Sequence, residues 1–215
     1  MKENLRRIRE PKALKSKKTD ILVSLLIVLV GIALGILSKW LDDLAFDSTI
    51  RWHQIIEKLD LGNVFSSFPV WLLPALVIAV FARNAKRAAG NTFLFFAGMC
   101  AAYHLYTVGI SGFNPAEYMM IWYAFTLISP LIAVFCWYAK GKTVPSIVLS
   151  SMIIAVLANC CFSIGWWYFG LNGVINLIIF LAAIPVLYAS PKQIGIALPA
   201  GAVLALLISP LIPLG

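Results

Sequence analysis

Residues Ile21 to Leu37 read ILVSLLIVLVGIALGIL, an apolar run that Lys17, Lys18 and Asp20 precede and Lys39, Asp42 and Asp43 follow. At about 1.5 Å of helical rise per residue, about 20 residues cross a hydrocarbon core about 30 Å thick. The run together with Ser38 to Leu41 has that length, so it predicts a membrane-spanning helix over 21–41. It exceeds the core of a signal peptide, and the Ser38-Lys39-Trp40-Leu41-Asp42-Asp43 that follows is no small-residue cleavage site, so the span is expected to be retained. Its direction fixes that of every later span.

Composition agrees with this reading. Of the 215 residues, 61% are hydrophobic and 12% charged, about half the charged share of an average soluble domain. The net charge of +8 comes from short basic segments between apolar runs and not from a basic face on a folded domain, so nucleic acid is not expected as a partner. The expected fold class is all-α, a polytopic transmembrane helix bundle of about seven spans with the lipid bilayer as its first partner.

Outward from the first span, residues 1–20 form a basic tail carrying Lys2, Arg6, Arg7, Arg9, Lys12, Lys15, Lys17 and Lys18, and the positive-inside rule places it in the cytoplasm. The tail reads mainly as an orientation signal touching anionic lipid. Residues 21–215 read as a single transmembrane domain with spans at about 21–41, 68–82, 92–110, 118–138, 144–165, 172–188 and 194–212. An external amphipathic helix is expected over about 48–61, with Ser48 as cap and Trp52, Ile55, Ile56 and Leu59 on one stripe. Arg83, Lys86, Arg87, Lys140, Lys142 and Lys192 then fall inside. Only Lys39, Arg51 and Lys58 fall outside, and the carboxy terminus ends there too. The Gly31-Ile-Ala-Leu-Gly35 motif of span 1 and the Ala197, Gly201, Ala205 series of span 7 predict close helix packing.

Polar side chains collect in the outer half of the spans. His104 and Asn159 each lie six residues before the outer end of their span, which is about 9 Å of depth. Glu117 stands at the mouth of span 4 with Trp122 further in, Asn176 follows Asn172 by one turn on span 6, and Lys39 and Asp42 close span 1. Intramembrane polar groups face a partner or a water-filled cavity. The shared depth therefore predicts an outward-opening polar pocket whose candidate ligand contacts are His104, Asn159, Glu117, Trp122, Tyr103, Asn176, Lys39 and Asp42.

Each has a plainer reading. His104 and the asparagines can serve as interhelical hydrogen-bonding glue, Glu117 can favour a helix dipole, and Trp40, Trp71, Trp166 and Trp167 are interfacial anchors.

Motif chemistry narrows the function classes. The two histidines, His53 and His104, make no HExxH, and Cys100, Cys136, Cys160 and Cys161 make no CxxC, so neither a metal nor another cofactor is expected. GxSxG is absent, which speaks against a serine hydrolase, and without GxxxxGK[ST] active transport would need a separate ATPase or another membrane partner.

At Gly35-Ile-Leu-Ser-Lys-Trp-Leu-Asp42, at Ile121-Trp-Tyr-Ala-Phe-Thr-Leu-Ile-Ser-Pro130 and at Trp137-Tyr-Ala-Lys-Gly141 the chain resembles a group of uncharacterised small polytopic bacterial inner-membrane proteins. That resemblance implies a multi-pass protein of the plasma membrane and no particular activity. In its size, basic amino terminus and small-residue first span it is loosely similar to the substrate-binding subunits of energy-coupling-factor importers, which have six spans. The leading expectation is binding of a small, aromatic or amphiphilic ligand, as a transport subunit or sensor. An accessory or immunity-type protein acting through helix contacts comes second, and a lipid-modifying enzyme with His104 as general base third.

Overall fold

The computed structural model describes residues 7–13, 16–45, 47 and 49–210. Among them run α1 (Lys17–Asp42), α2 (Arg51–Lys58), α3 (Leu61–Ser66), α4 (Phe68–Phe81), α5 (Ala85–Tyr106), α6 (Ala116–Ala139), α7 (Val144–Cys161), α8 (Val174–Leu187) and α9 (Pro191–Ile208). A π-helical turn at Thr107–Ser111 extends α5, and β1 (Phe162–Ile164) pairs antiparallel with β2 (Phe169–Leu171). The all-helical expectation holds apart from that hairpin.

Among the described residues five helical stretches are long and apolar enough to cross a membrane: Lys17–Asp42, Ala85–Ser111, Ala116–Ala139, Val144–Cys161 and Pro191–Ile208. Ile21, Leu22, Leu25, Leu26 and Leu29 of α1 are each more than half exposed, an apolar surface suited to lipid and costly in water. The expected spans at 68–82 and 172–188 are the apolar helices α4 and α8, of 14 residues each. Each is about 21 Å long, short of the hydrocarbon thickness.

Boundaries shift where local chemistry overrides apolarity. The span expected over 144–165 ends as helix at Cys161, because Phe162 is extended (φ −130°, ψ 145°) and begins β1. Trp166, Trp167 and Tyr168 then form the hairpin turn, and Gly173, at φ 94°, sets the start of α8 two residues after position 172. The amphipathic helix expected over 48–61 is two helices, α2 and α3, broken at Asp60 with φ 52°. Ser48 lies outside the described residues. Trp52, Ile55 and Leu59 stay about half exposed, while His53 is buried with its Nδ1 accepting from the Asp47 amide at 2.8 Å. The last span, expected over 194–212, is helical from Pro191 to Ile208, and positions 211 and 212 lie outside the described residues.

Where the sequence suggests one transmembrane domain, the chain divides into two compact units. The amino-terminal unit holds Ala13–Ser67 and Ala89–Ile132, and the carboxy-terminal unit holds Met1–Lys12, Phe68–Ala88 and Ala133–Gly215. Helices α5 and α6 each supply residues to both.

In the amino-terminal unit, α1 meets α5 backbone to backbone. A Cβ on Gly31 would lie 2.3 Å from the Phe95 carbonyl oxygen, one on Gly35 would lie 2.4 Å from that of Met99, and one on Gly98 would lie 2.9 Å from that of Val28. Only glycine fits at these three points. The predicted GxxxG seam is therefore present, with Gly98 as its counterpart, and Ser24 Oγ donates to Asn91 Oδ1 at 2.8 Å along the same contact.

In the carboxy-terminal unit, α7 packs along α9 through buried Ala197, Gly201 and Ala205. Ser190 caps α9 by accepting from the Gln193 amide at 3.2 Å, and Pro191 opens it. The Gln193 side chain accepts from the Ala189 amide at 3.1 Å and donates to Ser150 Oγ at 2.8 Å, which in turn donates to the Ala139 carbonyl at 2.9 Å.

The helix ends gathered there attract cations. Arg9 donates to the Trp137 carbonyl at 2.5 Å and the Val80 carbonyl at 2.9 Å, with its guanidinium 4.6 Å from the Trp137 ring. Lys140 donates to the Val186 carbonyl at 2.8 Å and lies 4.4 Å from the Phe81 ring. These carbonyls belong to last turns, where no intrahelical donor reaches them and the helix dipole favours positive charge. Burial lowers the pKa of Arg9, and burial followed by the charges of Arg9 and Lys12 lowers that of Lys140. Residues of the basic tail thus do more than touch lipid: the Lys12 amide donates to the Arg83 carbonyl at 2.9 Å, and Arg9 is a structural cap. Lys2, Arg6 and Lys15 lie outside the described residues.

Candidate functional site

The end of α1 carries Lys39, Asp42 and Asp43 within one turn, and the chain around them decides what each carboxylate does. Lys39 is buried, and its ammonium donates to Asp43 Oδ1 at 2.6 Å. Ser111, last residue of the π-helical turn, donates to Asp43 Oδ2 at 2.5 Å. Burial raises the Asp43 pKa, but the hydrogen bonds from Lys39 and Ser111 and the Lys39 charge outweigh it and hold it below the ordinary value. Asp43 is thereby committed to structure.

Asp42 faces the other way. It accepts from the Tyr103 hydroxyl at 2.8 Å and from Ser66 Oγ at 3.3 Å, so three elements, α1, α3 and α5, meet at one carboxylate. The chain leaves α5 through the π-helical turn and bends at Gly112, whose φ of 78° suits glycine. It returns through Phe113, Asn114 and Pro115 into the first turn of α6, which presents Glu117 and Tyr118. These residues enclose an open cleft of about 670 Å³ within the amino-terminal unit. Tyr103 and Tyr118 tilt together with ring centroids 5.9 Å apart, and the Trp122 indole, buried beneath, donates to the Tyr118 hydroxyl. Glu117 is exposed and has no hydrogen-bond or ion-pair partner among the described residues.

Of the eight residues singled out from sequence, Asp42, Tyr103 and Glu117 line this cleft, while Lys39 and Trp122 support its wall. His104, in the same unit, has its Nδ1 2.7 Å from the Tyr123 hydroxyl and is not part of the lining. Asn159 and Asn176 belong to the carboxy-terminal unit. Asn159 Nδ2 donates to the carbonyls of Ala155 at 3.0 Å and Ala205 at 3.1 Å, tying α7 to α9. Asn176 Nδ2 donates to the Asn172 carbonyl at 2.6 Å, and its buried Oδ1 has no partner among the described residues. Equal depth therefore grouped residues with different hydrogen-bond partners.

Sequence reasoning passed over Ser66, Phe113 and the structural pair Asp43–Ser111. Ser66 and Phe113 sit in segments that read as connections, and nothing in their spacing announces a wall. Among the described residues no group of three His, Cys, Asp or Glu side chains is placed to hold a metal ion. No family model matches the chain, and no curated protein or solved structure matches it either.

Proposed function

We propose that this chain is a multi-pass plasma-membrane protein, with a cytoplasmic amino terminus, that binds a small amphiphilic ligand from the outer side at the Asp42–Tyr103–Glu117 cleft, as a transport subunit or a sensor. The observation that carries the reading is the cleft's lining: two carboxylates and three aromatic rings around a volume of about 670 Å³, within the range of small-molecule sites. Glu117 leaves its acceptor oxygens available to a guest. The rings supply apolar contact at low entropic cost. Tests of this reading need two measurements on the full chain in a bilayer. A melting shift across a metabolite panel reports binding, since a ligand that binds only the folded state must stabilise it. Cysteine at Asn114 should react with an external, impermeant thiol reagent; reaction only after permeabilisation would refute the outward-facing cleft.

The accessory-protein reading also has an observation behind it. Asn159 joins α7 to α9 through the Ala205 carbonyl, as polar glue between spans does. A panel that shifts nothing, with co-purification of a membrane partner, would favour it.

A further inference from the structure

We infer that the cleft selects an organic cation, an amine or quaternary ammonium carrying an aromatic or apolar group; this rests on the ligand-binding reading above and adds the charge of the ligand. Among the described residues the lining contains Asp42 and Glu117 and no basic side chain. The ammonium of Lys39, which lies near two of the lining rings, is paired with Asp43 at 2.6 Å, so it does not neutralise the cleft carboxylates by direct contact.

The aromatic wall gives the second argument. The Lys39 ammonium lies 5.1 Å from the Phe113 ring centroid and 6.0 Å from that of Tyr103. Both rings also line the cleft. They thus already hold one ammonium by cation–π attraction, and Asp43 stands to that ammonium as Asp42 and Glu117 would stand to a guest. A bare metal ion would use the carboxylates and leave the rings idle. An anion would meet two carboxylates with no basic side chain among the described lining residues to offset them. An alkylated or aromatic ammonium uses both kinds of group, and the volume of about 670 Å³ admits a molecule far larger than an inorganic ion.

The test is calorimetric titration of the full chain in lipid nanodiscs with three phenyl probes and one metal: benzyltrimethylammonium, phenylacetamide, phenylacetate and calcium chloride. The expected result is that the cation binds at least about tenfold more tightly than the neutral and anionic probes, and that Glu117→Gln loses about tenfold of that affinity, the scale of one charge contact. Glu117 has no partner to lose, so its variant should fold; Asp42→Asn, which keeps the shape of a group accepting from Tyr103 and Ser66, provides the second reading. Equal affinity for phenylacetamide, untouched by Glu117→Gln, overturns the charge inference and leaves the ligand-binding reading standing. Calcium bound in preference to the ammonium probe overturns it in favour of an inorganic ion. Absence of cation binding overturns it whatever else binds, and silence from all four probes with an unreactive Asn114→Cys removes the ligand-binding reading as well.

Discussion

Each unit has its own internal seam of small residues, and the two seams differ in what lies opposite the missing side chain. Across from Gly31 and Gly35 stand the carbonyl oxygens of Phe95 and Met99, so the contact between α1 and α5 is backbone on backbone. Across from Gly201 stands the side chain of Ile154, with a Cβ built there falling 2.6 Å from Cγ2 and 2.8 Å from Cβ, while the nearest carbonyl oxygen, that of Ser151, stands back at 3.0 Å. A side chain can change rotamer, whereas a carbonyl in a helix cannot move without its hydrogen-bonding neighbours. The first seam is therefore intolerant by construction. The second opposes its glycine mainly with a side chain whose Cγ2 can turn away, keeps its nearest carbonyl further off, and adds polar ties: Asn159 to the Ala205 carbonyl, and Gln193 to Ser150.

The sharpest way to break this contrast is Gly31→Ala. It should destabilise the protein by about 3 kcal/mol, the upper end of overpacking costs, because neither neighbour can yield. Chemical denaturation in bicelles would measure it, and a cost below about 1 kcal/mol would show that α1 and α5 slide apart easily. Gly201→Ala should cost less than Gly31→Ala, at about 1 to 2 kcal/mol, and pairing it with Ile154→Ala, which removes Cγ2, should cost less than the sum of the two single variants. Equal costs for the two glycine variants would erase the distinction drawn here. Next comes Asn159→Ala, which removes the tie from α7 to the Ala205 carbonyl, leaves that carbonyl its bond from the Ser209 amide, and should cost about 1 kcal/mol. An unchanged stability would mean that small-residue packing alone suffices between α7 and α9.

The smallest effect concerns pH at the end of α1. Because the folded Asp43 pKa is depressed, its contribution is present above the ordinary carboxylate value of 3.8 and is lost as pH falls through the lower folded value. Stability followed from pH 5 downward should therefore decline more steeply in the parent than in Asp43→Asn. Identical profiles would show that the pair with Lys39 is too solvated to matter.

What the sequence made legible follows from how local each cause is. Residues 21–37 announce α1 by composition alone, and Gly31 and Gly35 announce its seam by spacing. The end of α7 was hidden because Phe162 and Ile164 are as apolar as the helix before them, so hydropathy carried the expected span four residues too far. Trp166 and Trp167 were readable as interfacial aromatics but not as a hairpin turn. At the candidate site, Asp42, Tyr103 and Glu117 were singled out through depth, which rise per residue supplies, and they line one cleft. Azimuth comes only from packing, which is why His104, with Tyr123, and Asn159, with Ala205, were grouped with residues whose surroundings they do not share. Arg9 as a helix cap was beyond reach, since its acceptors are backbone carbonyls far along the chain.

That distance orders the steps of assembly. Arg9 precedes Val80 by 71 positions and Trp137 by 128. At about 5 to 20 residues per second of synthesis, a time on the order of 10 s separates the making of Arg9 from the making of its second acceptor. Until Val80 is made its guanidinium has neither of these carbonyls, and until Trp137 is made it has at most one, so it stays open to water, lipid phosphate or the insertion machinery. Only when α4 and the end of α6 are both in place can the segment close over them. A residue made early thus completes its contacts late, and its closure marks the carboxy-terminal unit as assembled.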